Sequence, residues 1–142
     1  MAVESTEERI LSVLEEDAQA SYAEIAERAE VSKPTVRKYI QQLEEEGVIV
    51  GYSADVDPKK LSSKSIAIVG VDVESERYVE VTRALKQVAE VEELYTSSGD
   101  HTLMAEVHAP DGDALGTVIN EKILDLDGVA AAHPSFLQER LK

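Results

Sequence analysis

Three serines near the start of the chain each precede a short stretch with helical spacing. Ser5 and Ser21 are each followed three residues later by a glutamate, which is the pattern of a capping box at a helix N-terminus. Ser32 is followed by Pro34, which fits the first helical turn because its missing N–H would have no partner there. Gly47 then supplies a stop signal. The sequence up to this glycine therefore predicts three short helices in close succession.

Each predicted helix has a single apolar stripe. Apolar residues that recur every three to four positions lie on one face of a helix, so the three stripes can share one core. The inward set is Ile10, Val13 and Leu14 in the first helix, Tyr22, Ile25, Ala26 and Ala29 in the second, and Val36, Ile40 and Leu43 in the third, with Tyr39 beside it.

The outward face of the third helix contains no acid. Neither Asp nor Glu occurs from Val31 to Leu43, although the chain has 29 acidic and 14 basic residues. A chance gap in a solvated face is the alternative explanation. Lysine and arginine pair with phosphate or guanine and glutamine with adenine, so this face predicts a DNA-reading surface. It presents Lys33, Thr35, Arg37, Lys38, Gln41 and Gln42.

After Gly47 the sequence predicts two short strands with a turn between them, over residues 48–52 and 54–58. Three helices, the third one basic, followed by a β-hairpin form a winged helix-turn-helix, whose recognition helix enters the major groove. We therefore predict a winged helix-turn-helix domain over residues 1–57. Residues 58–64 lack acid and predict a linker.

The rest of the chain, residues 65–142, has the pattern of a second domain. The predicted order βαββαβ is the ferredoxin-like arrangement, with two helices on one face of a four-stranded antiparallel sheet. The fold class is therefore α+β. The predicted elements are a strand Ser65–Glu74, a helix Glu76–Ala89, strands Val91–Ser98 and Thr102–Ala109, a helix Asp113–Leu126 and a strand Val129–Leu137.

The second face of this predicted sheet is expected to be too apolar to remain in water. A second copy of the chain would cover it, which predicts at least a dimer. Two symmetric DNA-binding domains in turn predict a pseudo-palindromic operator in double-stranded DNA.

The net charge of −15 argues by itself against binding a polyanion. A uniformly acidic surface suits a cytoplasm at very high salt, where the Debye length falls to about 3 Å at 1 M, so we hypothesise a halophilic source. No apolar run approaches the roughly 18 residues of a membrane span, and the N-terminus lacks the pattern of a secretory signal. The expected location is the cytoplasm.

Nothing in the sequence predicts an enzyme, a resident cofactor or a metal site. Ser97, Ser98, Asp100 and His101 include the residue types of a catalytic triad, but neighbours on a turn usually point apart. His101 and His108 are an odd number of residues apart, which would place them on opposite faces of one strand. Together with His133 they are interpreted as ordinary surface or interface histidines.

Across both predicted domains the sequence resembles the Lrp/AsnC family, the leucine-responsive and asparagine-responsive regulators of bacteria and archaea. This resemblance implies that residues 32–42, beginning with Ser32, read DNA. It also implies that the C-terminal domain senses a ligand and forms dimers that can assemble into tetramers or octamers. The matching segments are Ser32–Leu43, Glu44–Ile49, Gly51–Tyr52, Asp57–Pro58 and Ser98–His101.

In that family, amino-acid effectors bind between dimers near the loop that corresponds here to residues 96–102. The resemblance therefore implies an effector site for an amino acid or a similar metabolite, formed by Thr96, Ser98, Gly99, Asp100, His101 and Thr102. The family turn typically reads Gly-acid-aromatic-Asp, whereas this chain has Thr102 at the last position, so an effector's ammonium group loses one carboxylate partner. The alternative function is a ligand-binding or protein-interaction module that has lost DNA binding, which the net charge favours.

Overall fold

The computed structural model describes residues 3–57, 60 and 64–142. The chain divides into two compact units, a helical unit of Met1–Asp55 and a sheet unit of Val56–Lys142. In the part of the chain that is described, no helix combines the length and the apolar character needed to cross a membrane.

The helical unit contains the three predicted helices, each starting at its predicted serine. Ser5 forms a complete capping box, because its hydroxyl accepts the Glu8 amide at 3.1 Å and the Glu8 carboxylate accepts the Ser5 amide at 2.7 Å. Ser21 accepts the amide of the residue three positions on, also at 3.1 Å. Satisfied first-turn amides fix the start of each helix. The helices are α1 (Thr6–Glu16), α2 (Tyr22–Ala29) and α3 (Lys33–Glu45).

The three apolar stripes meet in one core, in which Ile10, Ile25 and Val36 are fully buried. Tyr22 is the exception to the predicted inward set, since 40% of it is exposed. It is the first residue of α2 and lies before the buried turn of that helix. Between α2 and α3, Glu30 adopts a left-handed conformation (φ 58°), which turns the chain sharply into the third helix.

The two strands predicted for the wing do not form over the described residues 48–57, and Pro58 lies outside the described residues. Ile49 packs against the helical core and its amide donates to the Leu43 carbonyl at 3.0 Å, so its backbone extends the end of α3. Val50 is 95% exposed. A two-stranded hairpin is marginal in water without an apolar face to bury, and of the described residues in this segment only Ile49 packs against the core. Most of the predicted linker, residues 58–64, also lies outside the described residues.

The sheet unit confirms the βαββαβ order. A short 3₁₀ turn precedes its first helix, and its second helix continues as a π-helical segment, Val118–Leu124. The four strands form one antiparallel sheet in the order β2-β3-β1-β4. The elements are β1 (Ser65–Val73), α4 (Tyr78–Lys86), β2 (Val91–Thr96), β3 (Leu103–Ala109), α5 (Gly112–Thr117) and β4 (Val129–Phe136).

One face of this sheet packs against the helices through Ala67, Val69 and Val71 of β1, all fully buried. The other face, here called the open face, consists of the alternate residues along each strand. It is more polar than predicted, because the Ile66 and Ile68 pattern of β1 gives way to Gly70 and Asp72. The open face carries Ile68, Gly70, Asp72, Tyr95, Met104, Glu106, His108, His133 and Ser135.

Candidate DNA-reading helix and effector turn

The predicted DNA-reading residues share one surface of α3. All are exposed except Thr35, which is half-buried. Ser32 caps the helix: its hydroxyl accepts the Thr35 amide at 3.3 Å and lies 2.7 Å from the Thr35 hydroxyl. The first turn contains no acid, so the partial positive charge of the helix N-terminus adds to that of Lys33. This end of α3 is therefore suited to an anion such as a phosphate.

Arg37 is braced by an aromatic ring from the neighbouring helix. Its guanidinium carbon lies 5.7 Å from the centroid of the Tyr22 ring, within the range of a cation–π contact. The two side chains help to line a shallow depression of about 490 Å³, whose other lining residues are Ser21, Ala23, Lys33 and Pro34. Sequence reasoning placed Tyr22 in the core. The available signal was its position directly after a helix cap, ahead of the first buried turn.

The far end of α3 is acidic. The side-chain amide of Gln41 donates to Glu45 at 3.1 Å, and that of Gln42 donates to Glu46 at 3.0 Å. Each bond uses one donor of the side-chain amide, so a glutamine that contacts a base must share or exchange its bond to glutamate. The acid-free surface therefore covers the N-terminal turns of α3, and its last turn carries carboxylates.

One of these carboxylates belongs to Glu44, which accepts a hydrogen bond from the Tyr52 hydroxyl at 2.9 Å. Partial desolvation of the phenol, together with this bond, raises the pKa of Tyr52 to about 12. The segment after α3, which lacks the predicted strands, is thus tied to the helix by a side chain.

The predicted effector residues form one turn between β2 and β3. The Ser97 amide donates to the Thr102 carbonyl at 3.0 Å, which closes the turn, and the Gly99 amide donates to the Ser97 hydroxyl at 3.2 Å. Ser98, Gly99 and Asp100 are exposed at the tip. The structure therefore brings Thr96 to Thr102 together as a loop, with the Asp100 carboxylate directed toward solvent.

His101 departs from this turn, because its side chain lies on the open face of the sheet. Its Nδ1 atom is 3.0 Å from one oxygen of Asp72, and Nε2 of His133 is 3.0 Å from the other. The two imidazole rings stack with centroids 4.6 Å apart. A Cβ atom at Gly70 would lie 2.2 Å from the His101 ring, so glycine makes room for it. The His101 hydrogen bond is the main cause that lowers the pKa of Asp72 below its usual range.

The prediction that His101 and His108 lie on opposite faces of the sheet is therefore wrong. β3 begins at Leu103, so His101 lies outside the strand and strand alternation does not apply to it. Both side chains are on the open face, where His108 lies 2.6 Å from Glu106. The sequence did not indicate Asp72 as a site residue and did not place His133 beside His101. Asp72 and His133 come together only through the pairing of β1 with β4.

Two protein families match the chain. The family described as winged helix-turn-helix DNA-binding matches residues 4–50, and the family described as Lrp/AsnC ligand binding domain matches residues 66–142.

Individual relatives agree with these matches over the whole chain. The sequence is 75% identical over 142 residues to the HTH-type transcriptional regulator LrpA1 of Halobacterium salinarum, with 100% of both chains covered. The fold is similar to that of E. coli AsnC, with a TM-score of 0.78, 25% identity, and 100% of this chain and 96% of that chain covered. It is also similar to a transcriptional regulator of Neisseria meningitidis solved in complex with L-Met, with a TM-score of 0.82, 22% identity, and 99% and 93% coverage.

Proposed function

The chain belongs to the Lrp/AsnC family of transcription regulators, and on that premise we propose that residues 32–42 of α3 read a pseudo-palindromic operator in double-stranded DNA. The observation that carries this proposal is the exposed, acid-free surface of α3 in a chain of net charge −15. An interaction module that had lost DNA binding would have no reason to keep carboxylates away from this surface.

The residues of α3 would divide the work by position. Lys33 and the capped N-terminus hold a backbone phosphate, which sets the register of the protein on the duplex. Arg37, oriented by the Tyr22 ring, reaches a base edge or a second phosphate. Gln41 and Gln42 contact bases after exchanging their bonds to Glu45 and Glu46.

We further propose that a second copy covers the open face, and that the resulting dimers assemble into tetramers or octamers around an effector. The effector would be an amino acid held by Thr96 and by the residues Ser98–Thr102, with Asp100 facing its ammonium group. Two facts support this assignment: residues 66–142 match a ligand-binding family, and the Neisseria regulator was solved with L-Met.

The cellular setting follows from the same reasoning. A regulator that reads chromosomal DNA works in the cytoplasm of an archaeon, so we propose that location for this chain. The acidic composition and the 75% identity to a Halobacterium protein support a halophilic source.

DNA binding is tested with the purified full-length chain and labelled genomic fragments, including its own promoter, between 0.1 and 3 M KCl, by fluorescence anisotropy. Arg37→Ala should weaken specific binding by about 5- to 150-fold, since a good base contact contributes about 1–3 kcal/mol. Arg83→Ala is the matched control, because Arg83 is an exposed arginine on α4 of the other unit. A folded dimer that binds no fragment at any salt would favour the interaction module instead.

The salt series has its own expected outcome. Binding normally weakens as salt rises because phosphate neutralisation releases counterions, with a slope near −0.9 per contact. Two chains of net charge −15 each must take up cations near the duplex, which opposes that release. We therefore expect a shallow or even positive slope in molar KCl, and a steep conventional slope would contradict this reasoning.

The effector site is tested by calorimetric titration with a panel of amino acids. Asp100→Ala should abolish binding of the effector, whereas Asp125→Ala, which removes an exposed carboxylate at the end of the π-helical segment, should not. Unchanged affinity in Asp100→Ala would remove this turn as the effector site and leave the DNA-reading proposal standing.

A further inference from the structure

We propose that Asp72, His101 and His133 form a binding site for a divalent transition-metal ion of the zinc class. Each residue comes from a different element: Asp72 from β1, His101 from the turn before β3, and His133 from β4. Their candidate ligand atoms all lie within 4.8 Å of one another. Two imidazole nitrogens and a carboxylate oxygen are a donor set that zinc and its neighbours in the first transition row accept.

The distances between these atoms are close to those that an ion requires. Tetrahedral ligands at about 2.0–2.2 Å from zinc stand about 3.3 Å from each other. Each histidine nitrogen is 3.0 Å from a different oxygen of Asp72, so with either oxygen as the ligand one separation is already close to this value. All three separations lie within 4.8 Å, and the longer ones close by rotation of His133, whose side chain is 53% exposed. The bound ion would replace the protons that now bridge the carboxylate and the two rings.

The site is more rigid than a pair of solvated histidines. Only 27% of the His101 side chain is exposed, and its ring lies flat over Gly70, where any side chain would collide with it. Asp72 holds both rings from a central strand of the sheet. A ligand whose orientation is fixed before binding loses little freedom when the ion arrives, and this raises affinity.

The electrostatic setting also favours a cation. The Asp72 carboxylate lies within hydrogen-bond distance of both rings, so an ion held by the rings would also contact a carboxylate. Glu106 is a second carboxylate of the open face, next to His108. Three protein ligands leave at least one position of a tetrahedral ion for water, a small molecule or a group of the second copy that is proposed to cover the open face. The nitrogen donors disfavour Mg²⁺ and Ca²⁺, which prefer oxygen.

The test uses the untagged full-length chain in molar KCl with Co²⁺ as the probe, followed by its visible absorption. We expect one Co²⁺ per chain, displaced by Zn²⁺ but not by excess Mg²⁺. Absence of a bound-cobalt spectrum at neutral pH would overturn the proposal.

Substitutions test whether these three residues are the ligands of the bound ion. His101→Ala, His133→Ala and Asp72→Asn should each weaken Co²⁺ binding at least about tenfold. His108→Ala is the control, because His108 lies on the same face with a carboxylate partner but outside the cluster. Circular dichroism confirms that each variant is folded. Cobalt binding that survives both His101→Ala and His133→Ala, or that His108→Ala weakens equally, would refute the site.

Discussion

Replacing Gly70 by alanine tests whether the position of the His101 ring is set by the backbone of β1. The new Cβ atom would lie 2.2 Å from Cδ2, 2.6 Å from Cγ and 2.8 Å from Nε2 of His101. Ordinary contact begins near 3.4 Å, so the ring must move by about 1.2 Å, the difference between 3.4 and 2.2. That movement breaks the 3.0 Å hydrogen bond to Asp72 and the stacking on His133.

The cost of this displacement has two parts. Forcing extra volume into a packed site costs about 1–3 kcal/mol, and a lost hydrogen bond costs about 0.5–1.5 kcal/mol. The ring is partly exposed in the single chain, so the lower part of the combined range of about 1.5–4.5 kcal/mol applies. We expect Gly70→Ala to lower the free energy of unfolding of the sheet unit by about 1.5–3 kcal/mol. In thermal denaturation this is roughly 4–8 °C for each kcal/mol.

The assay is a double-mutant cycle measured by chemical denaturation in molar KCl at fixed protein concentration, because the proposed dimer would make stability depend on concentration. All three atoms nearest to the added Cβ belong to His101, so Gly70→Ala should cost little in a His101→Ala background. The expected coupling energy is at least about 1 kcal/mol. An equal cost of Gly70→Ala with and without the His101 ring would refute the reasoning.

Three further perturbations test other parts of the molecule. Ser32→Ala removes the cap of α3 and should destabilise the helical unit by about 1 kcal/mol in denaturation followed by circular dichroism, whereas Ser32→Asn should not. The pKa of Tyr52 is about 12 in the folded chain and 10.0 ordinarily, so its contribution to stability is complete below pH 10 and is lost as the pH rises toward 12. Tyr52→Phe should reduce that loss in denaturation between these pH values, and a loss as large as in the unsubstituted chain would exclude Tyr52. His101→Ala should raise the pKa of Asp72, measured by carboxyl-carbon NMR, because it removes the hydrogen bond that lowers this pKa. The lowered pKa stabilises the fold at neutral pH, and that stabilisation is lost as the pH falls through the pKa of Asp72 in the folded chain. An unchanged Asp72 pKa would contradict the hydrogen bond.

The helices could be predicted because their starting signals are local. Each cap joins a serine to an amide three residues away, so the sequence alone contains both partners. The order of elements in the sheet unit was equally accessible from hydrophobic periodicity. The capped N-terminus and exposed face of α3 followed from these same patterns, and with them the main part of the candidate DNA-reading surface.

The absence of the two wing strands could not be predicted, because strand formation depends on what a strand packs against. Residues 48–57 alternate like strands, but the alternation does not show whether an apolar core lies within reach. Ile49 packs against the helical core, whereas Val50 is exposed. The amide of Ile49 then bonded to the end of α3 in place of a neighbouring strand.

The histidine cluster was missed for a different reason. Asp72 and His133 are 61 residues apart, and they meet because β1 and β4 pair with Gly70 opposite His133. Register is a tertiary property that no local pattern contains. His101 was misplaced because it was treated as part of the following strand. That strand was predicted to start at Thr102, but it starts at Leu103, and His101 lies in the turn before it.

Both candidate sites depend on a contact with a neighbouring element. The Tyr22 ring braces Arg37 of α3, and the backbone of Gly70 with the ring of His133 braces His101. An unbraced arginine or histidine loses rotamer freedom when it binds a ligand, and that loss subtracts from affinity. A braced side chain has already lost part of it on folding. We therefore expect Tyr22 and Gly70 to contribute to binding strength at the two proposed sites, although they carry no charge and no binding motif in the sequence would identify them.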